Sequence, residues 1–323
     1  MYKRTLAVAA TAVAAGFLSV TTGSPAMAHQ GPHSHDHGAG GQGGTKAADT
    51  SAFTRSPNGR AVSFAAELSG ANEVPVKDGP AVNDPDGKAI ALVKVKGDRV
   101  TFALQWKGFV PSLGHIHQGA KGKNGDVKVP LFGSAMPDTV HSAAGQVAIT
   151  DAKLATSLRT DPSDFYVNLH STEFPGGAVR GQLKPLHRNV NPLDIIRGGK
   201  LRALSNGAQE VPKNETSKVG DPDGYAVTFL HPKGTTVDYS FAWVNLQSPT
   251  KGHVHKGQFG TNGDVVFDFF NRPVPDGIFA VSGRLAGQNP DVVKRVRQNP
   301  HNYYSNIHTA EFPDGAVRGQ FFH

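Results

Sequence analysis

Short runs of alternating apolar and polar residues, separated by Gly, Pro, Asn and Asp, recur along the chain from about residue 62 onward. In residues 62–68, Val62, Phe64, Ala66 and Leu68 alternate with Ser63, Ala65 and Glu67. In residues 100–106, Val100, Phe102, Leu104 and Trp106 do the same, and in residues 165–170 Phe165, Val167 and Leu169 alternate with Tyr166, Asn168 and His170. Period two with β-branched and aromatic enrichment predicts strands. Asp84-Pro85-Asp86-Gly87 suits a type I turn, with Pro presetting φ, and Asn124-Gly125 is a hairpin signal. Short helices are predicted over residues 152–158 and 290–297.

The pattern occurs twice. Gly70-Ala71-Asn72-Glu73-Val74-Pro75 returns as Gly207-Ala208-Gln209-Glu210-Val211-Pro212, and Trp106 returns as Trp243. One further residue is inserted before Gly114-His115-Ile116-His117 returns as Gly252-His253-Val254-His255. Asn124-Gly125-Asp126 then matches Asn262-Gly263-Asp264, and Asn168-Leu169-His170 matches Asn306-Ile307-His308. Glu173-Phe174-Pro175 and Arg180-Gly181-Gln182 match Glu311-Phe312-Pro313 and Arg318-Gly319-Gln320. Self-similarity over almost the whole of both halves marks a duplicated domain. Seven or eight short strands per copy predict an all-β protein of two tandem antiparallel β-sandwiches, Ig-like or superoxide-dismutase-like in architecture. The domains are expected at residues 59–186 and 200–323, with residues 187–199 as linker.

Residues 1–28 read as a signal peptide: Lys3 and Arg4, an uncharged apolar stretch, then Ala26-Met27-Ala28 before the cleavage point. Residues 29–58 read as a flexible His- and Gly-rich tail, too poor in large apolar residues to join a core. A free His29 terminus would offer copper an amine and a ring nitrogen, and His33, His35 and His37 would add weak donors. The expected location is secreted, extracellular, with no membrane span after signal cleavage. Lys and Arg number 33 against 26 Asp and Glu, and losing Lys3 and Arg4 would lower the charge from +7 to +5. The basic residues form no dense run with interleaved aromatics, which argues against nucleic acid and leaves adhesion to an anionic cell-envelope polymer open. There is no cysteine, so any metal must be held by imidazole, carboxylate or backbone oxygen.

Three histidines per copy stand out. On a strand, residues two apart share a face, so His115 and His117 point together while Ile116 points away. His170 lies on the face of its strand opposite Phe165, Val167 and Leu169. If those two strands are neighbours, His115, His117 and His170 converge, and His253, His255 and His308 repeat the arrangement. Three neutral imidazoles without thiolate suit copper or zinc with a fourth position open. Asn168, Glu173, Asn306 and Glu311 are candidates to orient a ligand's second ring nitrogen. The competing reading is that the histidines pack a sheet face or bond carbonyls at strand ends. His141, His187, His231 and His301 have no histidine counterpart.

Other repeated residues read as structural. Trp106 and Trp243 are expected to fill the cores. Arg180 and Arg318 alternate with Val179 and Val317, so they are expected to face away from the core, in a buried pairing with Glu73 or Glu210; the other reading is contact with a ligand. Asp84 and Asp86 serve a turn more economically than calcium. No nucleophile elbow, phosphate loop or triad spacing occurs, and no catalytic residue is assigned.

The combination of Gly-Ala-Asn/Gln-Glu-Val-Pro, Gly-His-Ile/Val-His, Asn-x-His-Ser/Thr-x-Glu-Phe-Pro and Gly-x-Val-Arg-Gly-Gln resembles the CHRD domain over residues 63–185 and 202–322. The family takes its name from chordin, an extracellular antagonist of growth factors, and is widespread in bacterial secreted proteins. The resemblance implies a β-sandwich and no particular activity. The His-x-His strand is also similar to the copper-binding strand of copper/zinc superoxide dismutases, without that family's disulfide or its zinc loop. Three functions stay open: a divalent transition-metal binder, a non-enzymatic adhesion module that contacts an extracellular protein or envelope polymer without metal, and copper redox catalysis.

Overall fold

The structure, a computed structural model, describes residues 59–323; the expected signal and His-rich tail lie outside the described residues. The first repeat contains β1 (Val62–Ser69), β2 (Lys88–Lys96), β3 (Arg99–Lys107), β4 (Leu113–Gln118), β5 (Val127–Phe132), β6 (Val140–Ala148), β7 (Phe165–His170), β8 (Val179–Gln182) and β9 (Lys184–Leu186). The second contains β10 (Leu201–Asn206), β11 (Tyr225–Lys233), β12 (Thr236–Val244), β13 (Lys251–Lys256), β14 (Val265–Phe270), β15 (Ile278–Leu285), β16 (Tyr303–His308) and β17 (Val317–Phe322). One short helix precedes β7 and one precedes β16: α1 (Ala152–Thr160) and α2 (Pro290–Gln298). Asp151 caps α1 by accepting the Lys153 and Leu154 N–H groups, and Asn289 does the same for Asp291 and Val292 of α2. The all-β class read from the alternation is the class observed. Among the described residues no helix is long and apolar enough to cross a membrane.

Each repeat is two antiparallel layers. In the first, β9, β1, β2, β3 and β6 pair in that order, and β5, β4, β7 and β8 form the facing sheet. The second repeat copies this with β10, β11, β12 and β15 against β14, β13, β16 and β17. The inward residues are those the alternation picks out. Phe64, Phe102, Leu104 and Trp106 meet Ile116, Phe165, Val167 and Leu169, and Phe241 and Trp243 meet Val254, Phe267 and Ile307. Burying each such side chain contributes about 1.5–3 kcal/mol, so the cysteine-free chain needs no staple. Asp84 Oδ1 accepts the Asp86 and Gly87 N–H groups, and Asp221 Oδ1 those of Asp223 and Gly224. The carboxylates therefore close turns, as expected.

Two features were not legible beforehand. Strands β6 and β15, equivalent in the two repeats, pair antiparallel, with Ser142 opposite Ser282 and Ala144 opposite Ala280. One sheet therefore runs through both repeats. The segment read as a linker is packed rather than free: Ile195 and Ile196 cover Ala103 and Ala144 of one repeat and Phe279 and Ala280 of the other. Ser240 Oγ donates to the Arg197 carbonyl and holds its far end.

Candidate metal centres

The β4–β7 register puts His117 opposite Tyr166, His115 opposite Asn168 and Leu113 opposite His170, all on one face. On its other side β4 meets β5 with register shifts at Gly114/His115 and Ile116/His117, and the same shifts recur at Gly252/His253 and Val254/His255. Bulges of this kind re-aim side chains. The result is that one nitrogen from each of His115, His117 and His170 lies within 4.8 Å of the others, and likewise for His253, His255 and His308. The structure thus brings together all six histidines singled out in the sequence, as two trios.

Backbone carbonyls decide which nitrogen of each ring is free. His117 Nδ1 donates to the Gly125 carbonyl at 2.9 Å, and His170 Nδ1 donates to that of Pro175 at 2.9 Å. Both rings therefore keep their lone pair on Nε2. His115 Nδ1 faces His170 Nε2 at 3.3 Å. In the second repeat, His255 Nδ1 donates to Gly263 at 2.8 Å and His308 Nδ1 to Pro313 at 3.0 Å, while His253 Nδ1 meets His308 Nε2 at 3.1 Å. The donor set is then Nδ1 of the first histidine and Nε2 of the other two. His117 Nε2 and His255 Nε2 are buried without a hydrogen-bond partner, which costs free energy unless something accepts the lone pair.

Burial also keeps the rings neutral, as ligation requires. It lowers His115 to about 4, helped by His170 and His117, and lowers His253 to about 3 and His308 to about 4. His117, His170 and His255 are pushed below their ordinary value by the same burial.

The residues around the trios depart from expectation. Asn168 and Asn306 do not orient a ligand ring; their amides donate to Glu73 and Glu210. Glu173 and Glu311 are exposed, and Glu311 accepts from Gln247. The orienting role falls instead to carbonyls of Gly125, Pro175, Gly263 and Pro313. A carbonyl has no side-chain signature, although the repeated Asn-Gly-Asp and Glu-Phe-Pro triplets mark where these lie. Gly125 is obligatory there, since a Cβ would come within 1.6 Å of the Gln118 carbonyl oxygen.

Arg180 and Arg318 are buried, as the expected buried pairing requires; they are 2% and 1% exposed. Arg180 donates to Asn124 Oδ1 and to the Ala120 and Lys123 carbonyls, pinning the loop that carries Gly125. Its guanidinium lies 3.4 Å from the centroid of the Tyr166 ring, and that ring stacks on His117. Arg318, Tyr304 and His255 repeat the stack. The expected partner Glu73 attracts Arg180 by charge, while the guanidinium's hydrogen bonds go to the loop.

Two fused antiparallel β-sandwiches, each with a trio of converging imidazoles at one face, define the class of protein. The CHRD domain family model matches residues 64–183 and 201–321, and the chain belongs to that family as a tandem CHRD protein. No curated protein and no solved structure matches the chain.

Proposed function

We propose that this tandem CHRD protein is exported and binds one divalent transition metal ion, copper or zinc, in each repeat. The ligands are His115, His117 and His170 in the first and His253, His255 and His308 in the second. The observation that carries the reading is the donor set itself. Each trio offers three neutral ring nitrogens within mutual reach, one of them a buried, partnerless Nε2. Packing or strand-end bonding would explain one such ring by itself; it does not account for lone pairs aimed inward in both copies. The lack of thiolate and the imidazole-only chemistry favour copper or zinc over hard cations, and three protein ligands leave room for a fourth. Export is supported by the charge, apolar stretch and small-residue order of residues 1–28. His29, His33, His35 and His37 would raise local metal capture.

Untagged protein purified without chelator is expected to carry about two equivalents of metal per chain at neutral pH, one per trio. Elemental analysis that finds less than roughly half an equivalent rejects the proposal. An interaction role without metal has its own support in an exposed apolar face. Leu204, Tyr225 and Val244 of β10, β11 and β12 stand on the outer side of their sheet, joined by Phe322 where the C-terminal end of β17 pairs with β10, a surface suited to an envelope polymer or another extracellular protein.

A further inference from the structure

The two trios share their ligands but not their surroundings. In the strand register His115 faces Pro130 of β5, whereas His253 faces Asp268 of β14. Pro130 offers no side-chain acceptor. Asp268 Oδ1 lies 3.7 Å from His253 Nε2, close behind a ring that burial keeps neutral and on the side away from Nδ1, which faces His308. The carboxylate therefore stands behind the ring rather than among the ligands. Lys251 neighbours both Asp268 and His253, and it sits opposite His308 where the first repeat places Leu113 opposite His170. The second site has a charged rim and the first an apolar one. Among the described residues no carboxylate pairs with His115.

A carboxylate behind a ligating imidazole holds the proton on the far nitrogen, frees the near lone pair and raises its basicity. We propose that Asp268 is a positioning residue that makes the second trio the tighter of two unequal metal sites, so that the chain fills its second repeat first. The inference rests on the metal reading above. In the first repeat His170 Nε2 accepts from His115 Nδ1 and no carboxylate among the described residues stands behind the ring, so the incoming ion must move that proton to Nε2 unaided, at a cost taken from binding.

Zinc titration against a chromophoric chelator tests this on full-length chains in which His29, His33, His35 and His37 are replaced by Ala. His117→Gln leaves the second trio intact, and His255→Gln leaves the first. The second trio is expected to bind about 10–100-fold more tightly. In the His117→Gln chain, Asp268→Asn should abolish that excess and Asp268→Glu should restore most of it. Asp268 is half exposed, so Asp268→Asn should leave thermal melting of the chelated protein unchanged, which separates positioning from folding. Equal affinities, a tighter first site, or no loss in Asp268→Asn overturns the inference while metal binding stands. Zinc binding at neither trio overturns the metal reading, and the inference with it.

Discussion

Replacing Arg180 with Leu is expected to lower the unfolding free energy by about 3–5 kcal/mol, the usual cost of removing one partner from a buried charged network. The side chain supplies three hydrogen bonds, to Asn124 Oδ1 and to the Ala120 and Lys123 carbonyls. It also covers Tyr166 and offsets the charge of Glu73. Leucine fills part of the volume but removes all three hydrogen bonds that tie the otherwise exposed 120–124 loop to β8. Because the same loop presents the Gly125 carbonyl to His117, metal affinity should fall at the first trio and hold at the second. Lysine should rescue only partly, since a point charge cannot reproduce the planar fork. Denaturant titration of the chelated protein measures the first effect, and a cost below about 1 kcal/mol would mean that the arginine is not the hub described.

Between about pH 7.5 and 8.5 the chelated protein is expected to lose stability as pH rises, and the doubly substituted chain Glu73→Gln, Glu210→Gln is expected to show no such loss. Burial pushes Glu73 up to about 7 from 4.5, against the hydrogen bond from Asn168 and the charge of Arg180. Glu210 is pushed to about 8 by the same burial. In this range the folded state holds protons that the unfolded chain has already lost. The stability these groups contribute is thus full below pH 4.5 and drains away as pH climbs through the folded values. The imidazoles act the other way and at lower pH. The folded values of His115, His253 and His308 lie at about 3 to 4 against 6.5 unfolded, and burial lowers the other three as well, so acidification costs stability through them. From about pH 7.5 upward, a full unit above the unfolded value, they are largely neutral in both states, leaving the carboxylates to set the slope. Thermal midpoints across the range decide it, and an equal slope in the double Gln chain would remove the carboxylates as its source.

The parts of this molecule that were legible in the sequence are those written in side chains at fixed spacing. Alternation located the strands, because a residue and its second neighbour must share a sheet face. The recurrence of His-x-His and Asn-x-His then selected six of the histidines, and the structure gathers all six. What could not be read depends on contacts between distant segments. That β6 would pair with its own equivalent β15 follows from two edges being free to meet, and neither run of sequence signals it. Residues 187–199 read as a linker because Pro192, Gly198 and Gly199 are loop residues, and nothing in that run signals that Ile195 and Ile196 pack on a surface that exists only once both repeats are folded. Arg180 was legible in part: its burial was expected, and its hydrogen bonds to a distant loop were not. Alternation places it opposite Val179, but the outer face there is roofed by the loop after β4, so both sides of the strand are buried. The atoms that orient His117 and His170 are carbonyls, which every residue has.

Anomalous diffraction at the absorption edge of the loaded metal tests the central claim most directly, using crystals of the chain with the histidines of residues 29–37 replaced. The account requires one peak among His115 Nδ1, His117 Nε2 and His170 Nε2, and a second among the corresponding atoms of His253, His255 and His308. Ring nitrogens should stand about 2.0–2.1 Å from each ion if the metal is zinc. Peaks found only elsewhere on the protein, or none at saturating metal, would contradict it.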